Sequence, residues 1–230
     1  VLLHNRWRRL VQTPTCSRKA QVHRTSPLKA SVMLLVTVPH GKREASDNHD
    51  EGAINMVPYL TRALDNVGVP HTIHIGNDSF RSILDYNRAE SRHTEYSKEF
   101  TRLLQENRLL IDLHSYPYMD DETPDSDSIT SHGDDLREWS RSDVVFLSLP
   151  SLTDQLFSER MMSKLEEHVI VDDIESDYYN YLTVFSQLVM DVPAVLLELN
   201  EGSSEAFPLV AKVVAEAVAE HLGLIEPADA

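Results

Sequence analysis

The sequence predicts an α/β fold, a single domain whose mostly parallel or mixed central sheet carries helices on both faces. Three observations predict it. Short, mostly apolar runs at 33–38, 109–113 and 194–199 read as strands buried on both sides rather than as alternating ones. Segments with helical spacing separate them. The chain has 230 residues, 41% of them hydrophobic, which suits one large core better than two small ones.

Each element follows in order. Residues 33–38 form the first predicted strand and end in Pro39-His40-Gly41, a loop signal. Residues 54–67 have helical spacing at Met56, Val57, Leu60 and Leu64, with Pro58 tolerable only near the first turn and Gly68 as the stop. A second strand is predicted at 72–75, an amphipathic helix at 94–105 and a third strand at 109–113. The acidic, unpatterned stretch 119–135 reads as a mobile surface loop. Beyond it come a strand at 144–149, a helix at 152–167, a short strand at 169–171 and a helix at 181–190. The last strand, 194–199, and an amphipathic helix at 206–222 close the domain. No internal repeat is evident.

Residues 1–32 stand apart from the domain at 33–230. They hold seven basic residues (Arg6, Arg8, Arg9, Arg18, Lys19, Arg24 and Lys29) and no Asp or Glu. They read as a disordered or misannotated extension ahead of a start at Met33, with an organellar transit peptide as the rival. Over the whole chain 37 acidic residues face 21 basic ones, a formal net charge of −16. That balance opposes binding to a phosphate backbone, so no nucleic-acid partner is expected. It also repels anionic substrates at long range, so an acidic substrate would need a local cationic clamp. No apolar run reaches the ~20 residues of a membrane helix, and a cytoplasmic location is expected unless the basic leader directs import. The lone cysteine, Cys16, permits neither an internal disulfide nor a thiolate zinc site. Any metal must be held by His and carboxylates, of which 11 histidines offer a supply.

Three apolar strands end in, or carry, groups a core would not select. The first leads to His40, the third ends at His114-Ser115, and the last carries Glu198. A lone His at a strand end is most often structural, and a lone Glu in a strand most often sits at an edge. Their joint occurrence on three strands favours a catalytic metal site with three protein ligands and an open position. Burying Glu198 without a role would cost several kcal/mol or force it neutral. Asp85-Tyr86-Asn87-Arg88 adds a planar guanidinium and an amide suited to a substrate carboxylate.

In chain order, Val-Pro-His-Gly at 38–41, Asp-Tyr-Asn-Arg at 85–88, Ile-Asp-Leu-His-Ser at 111–115 and Leu-Leu-Glu-Leu-Asn at 196–200 resemble the N-formylglutamate amidohydrolases. More distantly they resemble the zinc carboxypeptidase and aspartoacylase group, with its zinc-peptidase-like α/β fold. The resemblance implies a Zn2+ held by His40, an acidic residue soon after it, and His114. The stretch 46–53 resembles a Ser-Asp-x-His-x-Asp segment of that family and places the acid at Glu51, with Glu44, Asp47 and Asp50 as rivals and His49 as a further contact. It also implies that Asn87 and Arg88 bind the substrate carboxylate and that Glu198 is the general base. Asp112 is expected on the strand face opposite His114, in a structural or supporting role. The implied activity is hydrolysis of an amide C–N bond in an N-acyl amino acid or a peptide-like substrate. A non-catalytic carboxylate-binding relative is the alternative. A serine hydrolase using Ser115 or Ser186 is disfavoured, because neither lies in Gly-x-Ser-x-Gly. Substrate choice is expected to reside in loops 76–84, 116–142 and 172–180.

Overall fold

The computed structural model describes residues 33–41, 50–76, 85–118, 141–148, 155–175 and 181–227. The basic segment 1–32 and the acidic loop at 119–135 lie outside these residues. The described strands are β1 (Leu34–Val38), β2 (His71–Ile75), β3 (Leu109–Tyr116), β4 (Val144–Ser148), β5 (Val171–Glu175) and β6 (Ala194–Asn200). The helices are α1 (Glu51–Asn66), α2 (Glu95–Leu104), α3 (Gln155–Glu166), α4 (Tyr181–Val189) and α5 (Phe207–His221), with 3₁₀ segments at Ala89–His93 and Glu201–Ala206.

The six strands form one sheet in the order β2-β1-β3-β6-β4-β5. Pairing is parallel for β1 with β2, β1 with β3, β3 with β6 and β4 with β5, whereas β4 runs antiparallel to β6. The sheet is therefore mixed, as predicted.

The largely apolar character of the central strands follows from burial on both sides. Leu34, Val36 and Val38 of β1, with Leu109, Ile111 and Leu113 of β3 and Val195, Leu197 and Leu199 of β6, pack against α1, α3 and α5. The alternate residues Leu35, Leu110 and Ala194 pack against α2, α4 and Tyr86. On the second face the period also places Thr37, Asp112, His114 and Glu198, and this polar row is the raw material of the site.

Several element boundaries differ from expectation, and β3 runs on to Tyr116 instead of stopping at 113. Helix α1 begins at Glu51 rather than 54, which puts Pro58 well inside it. Pro58 is exposed, so its missing N–H and its ring fall on the solvent side, where the loss is least costly. The fifth strand begins at Val171, because Val169 still donates to Leu165 O in the turn that closes α3. No helix among the described residues is long and apolar enough to cross a membrane.

Candidate metal centre

β1, β3 and β6 lie side by side in the sheet and deliver their polar residues to one end of it. His40 emerges just past β1. Its carbonyl accepts from Asp50 N at 3.0 Å, which draws the start of α1 against it. Gly76 lets the chain leaving β2 pass this turn, because a Cβ there would run into Pro39 O. His114 is paired in parallel register with Glu198, so the two side chains share a face. One donor atom from each of His40, Asp50 and His114 lies within 4.8 Å of the others, and all three residues are buried.

The surrounding contacts orient these groups. His114 Nδ1 lies 3.0 Å from Asp50 Oδ2, and its Nε2 lies 3.2 Å from Asp112 Oδ2. Thr37 Oγ1 donates to Asp112 Oδ1 at 2.5 Å, which fixes that carboxylate. His40 Nε2 sits 3.3 Å from Asp85 Oδ1 without hydrogen-bond alignment. Two imidazoles and a carboxylate converge here, and each imidazole turns one nitrogen toward a further carboxylate. That donor set fits a divalent cation of the zinc class. The group could hold a metal ion.

The His114 imidazole is held well above its ordinary pKa. Burial pulls it down, but the charge and hydrogen bond of Asp112, the hydrogen bond to Asp50 and the charge of Glu198 overrule that pull. The shift favours the protonated ring in the metal-free protein, so a metal that takes a His114 nitrogen displaces a proton. Apparent metal affinity is therefore expected to rise with pH, by at most about tenfold per pH unit for one proton displaced. Chelator competition at several pH values checks this, and a flat profile would show that no such proton is displaced.

The predicted residues are not all brought together. Glu51 is exposed on the first residue of α1 and lies outside the group, whereas its neighbour Asp50 lies inside it. The rivals Glu44 and Asp47, and His49, fall outside the described residues. Glu198 is half-buried rather than buried, beside His114. Asp112 shares the face of His114, contrary to the expected opposite face, since residues two apart in a strand point the same way. Asn87 is buried; its Oδ1 accepts from Leu182 N at 3.1 Å, which turns its Nδ2 to within 3.3 Å of His114 Nε2. Arg88 is part-exposed, with Nε 3.5 Å from Asp85 Oδ2.

Sequence patterns assign Asp85 no role of its own, yet it links His40 to Arg88 and also accepts from Asn87 N at 2.8 Å. Its signal was the Asp two residues before Asn, the pattern of a side chain folded back on its own turn.

Comparison by sequence finds no matching family model and no matching curated protein. Comparison of structures does find similar folds. A gene product from Agrobacterium tumefaciens aligns with TM-score 0.59 and 12% identity, over 86% of this chain and 93% of that one. A metallo-carboxypeptidase from Burkholderia cenocepacia aligns with TM-score 0.52 and 13% identity, over 86% of this chain and 59% of that one. An N-formylglutamate amidohydrolase from Ralstonia eutropha aligns with TM-score 0.49 and 11% identity, over 84% of this chain and 93% of that one. At these identities the likeness is one of fold. The chain thus shares its mixed α/β fold with the first two of these structures, and it carries a buried His-Asp-His group at the carboxyl ends of its central strands.

Proposed function

We propose that this chain is a zinc-dependent hydrolase that cleaves an amide C–N bond in an N-acyl amino acid, N-formylglutamate-like, or in a peptide-like substrate with a free carboxylate. The observation that carries the reading is the buried His40–Asp50–His114 group with a half-buried Glu198 in register beside it. His40, Asp50 and His114 would hold the ion. When bound, zinc would polarise the amide carbonyl and acidify water at the site.

The other residues divide the remaining work. Glu198 takes a proton from the attacking water and passes it to the leaving amine, which lets one carboxylate serve both halves of the reaction. Its partial exposure leaves it reachable by substrate, and the charge it places on His114 argues that it stands close to the centre. Arg88 supplies the local cation that a chain of net charge −16 needs to retain an anionic substrate. Asp85 steadies that guanidinium, and Asn87 adds an amide hydrogen bond. In this reading the substrate is a small molecule or peptide end, and the protein works in the cytoplasm.

The test is elemental analysis of the purified protein, wild type beside His114→Ala, followed by assay on N-acyl amino acids and on the matching amides without a carboxylate. About one zinc per chain, lost in the variant, and hydrolysis only of substrates with a carboxylate are the expected results. Arg88→Ala should raise KM about 10- to 100-fold for those substrates and leave kcat within a few-fold. A metal-free wild-type protein after zinc is supplied would overturn the reading. Metal and ligand binding without turnover would instead favour a non-catalytic carboxylate binder.

A further inference from the structure

Asp50 stands at the position before the first residue of α1, where an Asp ordinarily turns its side chain onto the helix's own N–H groups. Here it makes no such bond and lies against His114 instead. The N–H left without its customary acceptor is taken by a residue distant in sequence, just past the end of β6, the strand paired with β3. Gly52 N donates to Glu201 Oε1 at 3.1 Å, and Ser115 Oγ donates to the same oxygen at 2.7 Å. Glu201 follows β6 directly, so one carboxylate oxygen ties the first turn of α1 to the end of β3.

The tie is tight and well braced. A Cβ at Gly52 would lie 2.8 Å from Ser115 Cβ and 3.0 Å from Glu201 Cγ, so the helix start is pressed onto both. Asn200 aims Glu201: its Nδ2 donates to Ser142 O at 2.9 Å, and its Oδ1 accepts from Gly202 N at 2.9 Å. The residues joined are the immediate neighbours of the metal-holding groups. Gly52 lies two residues from Asp50, and Ser115 one from His114.

We propose that Glu201 is a positioning residue of the metal centre: it caps α1 in place of Asp50 and so keeps the Asp50 carboxylate turned toward the two histidines. This rests on the metal reading given above. The negative charge of Glu201 also sits at the positive end of the α1 dipole, so it stabilises the same arrangement electrostatically. Without Glu201, Asp50 is the nearest acceptor for the first-turn N–H groups, and rotating to reach them takes it away from His114.

The test measures zinc affinity by chelator competition on the full chain, with the fold monitored by circular dichroism. Glu201→Ala should bind zinc about 10- to 100-fold more weakly. Glu201→Gln, whose amide oxygen accepts the same two bonds, should stay within about threefold of wild type. Ser115→Ala, which removes one donor and no charge, should lose several-fold and serves as the second variant. In an Asp50→Ala background, Glu201→Ala should cause no further loss, because the residue it positions is gone. A purely structural role would instead give additive losses, and additivity would overturn the inference. So would a folded Glu201→Ala with wild-type affinity while wild type itself binds zinc. Failure of the wild type to bind zinc would overturn the metal reading, and this inference with it.

Discussion

Glu198→Gln is expected to lower kcat by about 10²- to 10⁴-fold while zinc content stays at the wild-type level. The change keeps the size and shape of the side chain and removes only its ability to take up a proton. Glu198 lies in β6 opposite His114, on the face that also carries Asp112, and only one of these three is part-exposed. Asp112 is occupied by Thr37 and His114 and is fully buried, so it cannot reach a water at the mouth of the site. Of the two carboxylates on this face, Glu198 is therefore the one we propose as the proton carrier. Steady-state kinetics with metal analysis on the same preparation checks this. Loss of the acidic limb of the kcat/KM profile should accompany the loss of rate, because that limb reports the free enzyme's base. A variant that loses zinc together with activity would show instead that Glu198 supports the metal group. A variant with wild-type turnover would remove it from the mechanism.

The architecture was legible because the strands that position the site are buried on both faces, and short, mostly apolar runs announce such strands directly. His40, His114 and Glu198 were legible for the same reason, as polar residues that a core strand would otherwise exclude. What escaped were features set by contacts distant in sequence. The start of α1 was misplaced because its anchor is Glu201, 149 positions away, and no local pattern reports that bond. Pro58 was consequently assigned to a first turn that it does not occupy. Asp85 was given no role and Asp112 was placed on the wrong strand face, yet each faces a histidine of the centre. Reading Asp112 correctly needed only the two-residue period of a strand.

Choosing between Asp50 and Glu51 shows the same limit, and there the expected effect is large. Asp50→Ala should weaken zinc binding by at least about 100-fold, since it removes one of three donors and leaves the buried His114 without one of its two carboxylate partners. Glu51→Ala should leave affinity within about twofold. Its side chain is exposed, and its contribution is limited to an acid in the first turn of a helix, on the order of 0.3–1 kcal/mol of stability. The two residues are adjacent, so a motif aligned one position out exchanges them. The fold separates them: the residue before a helix can turn inward, whereas the first residue of α1 points to solvent. Zinc affinity of the two single variants, with thermal unfolding of the metal-free forms as the control for folding, decides the matter. Loss of zinc in Glu51→Ala with retention in Asp50→Ala would require the loop preceding α1 to present the other carboxylate, and would overturn the ligand set of His40, Asp50 and His114.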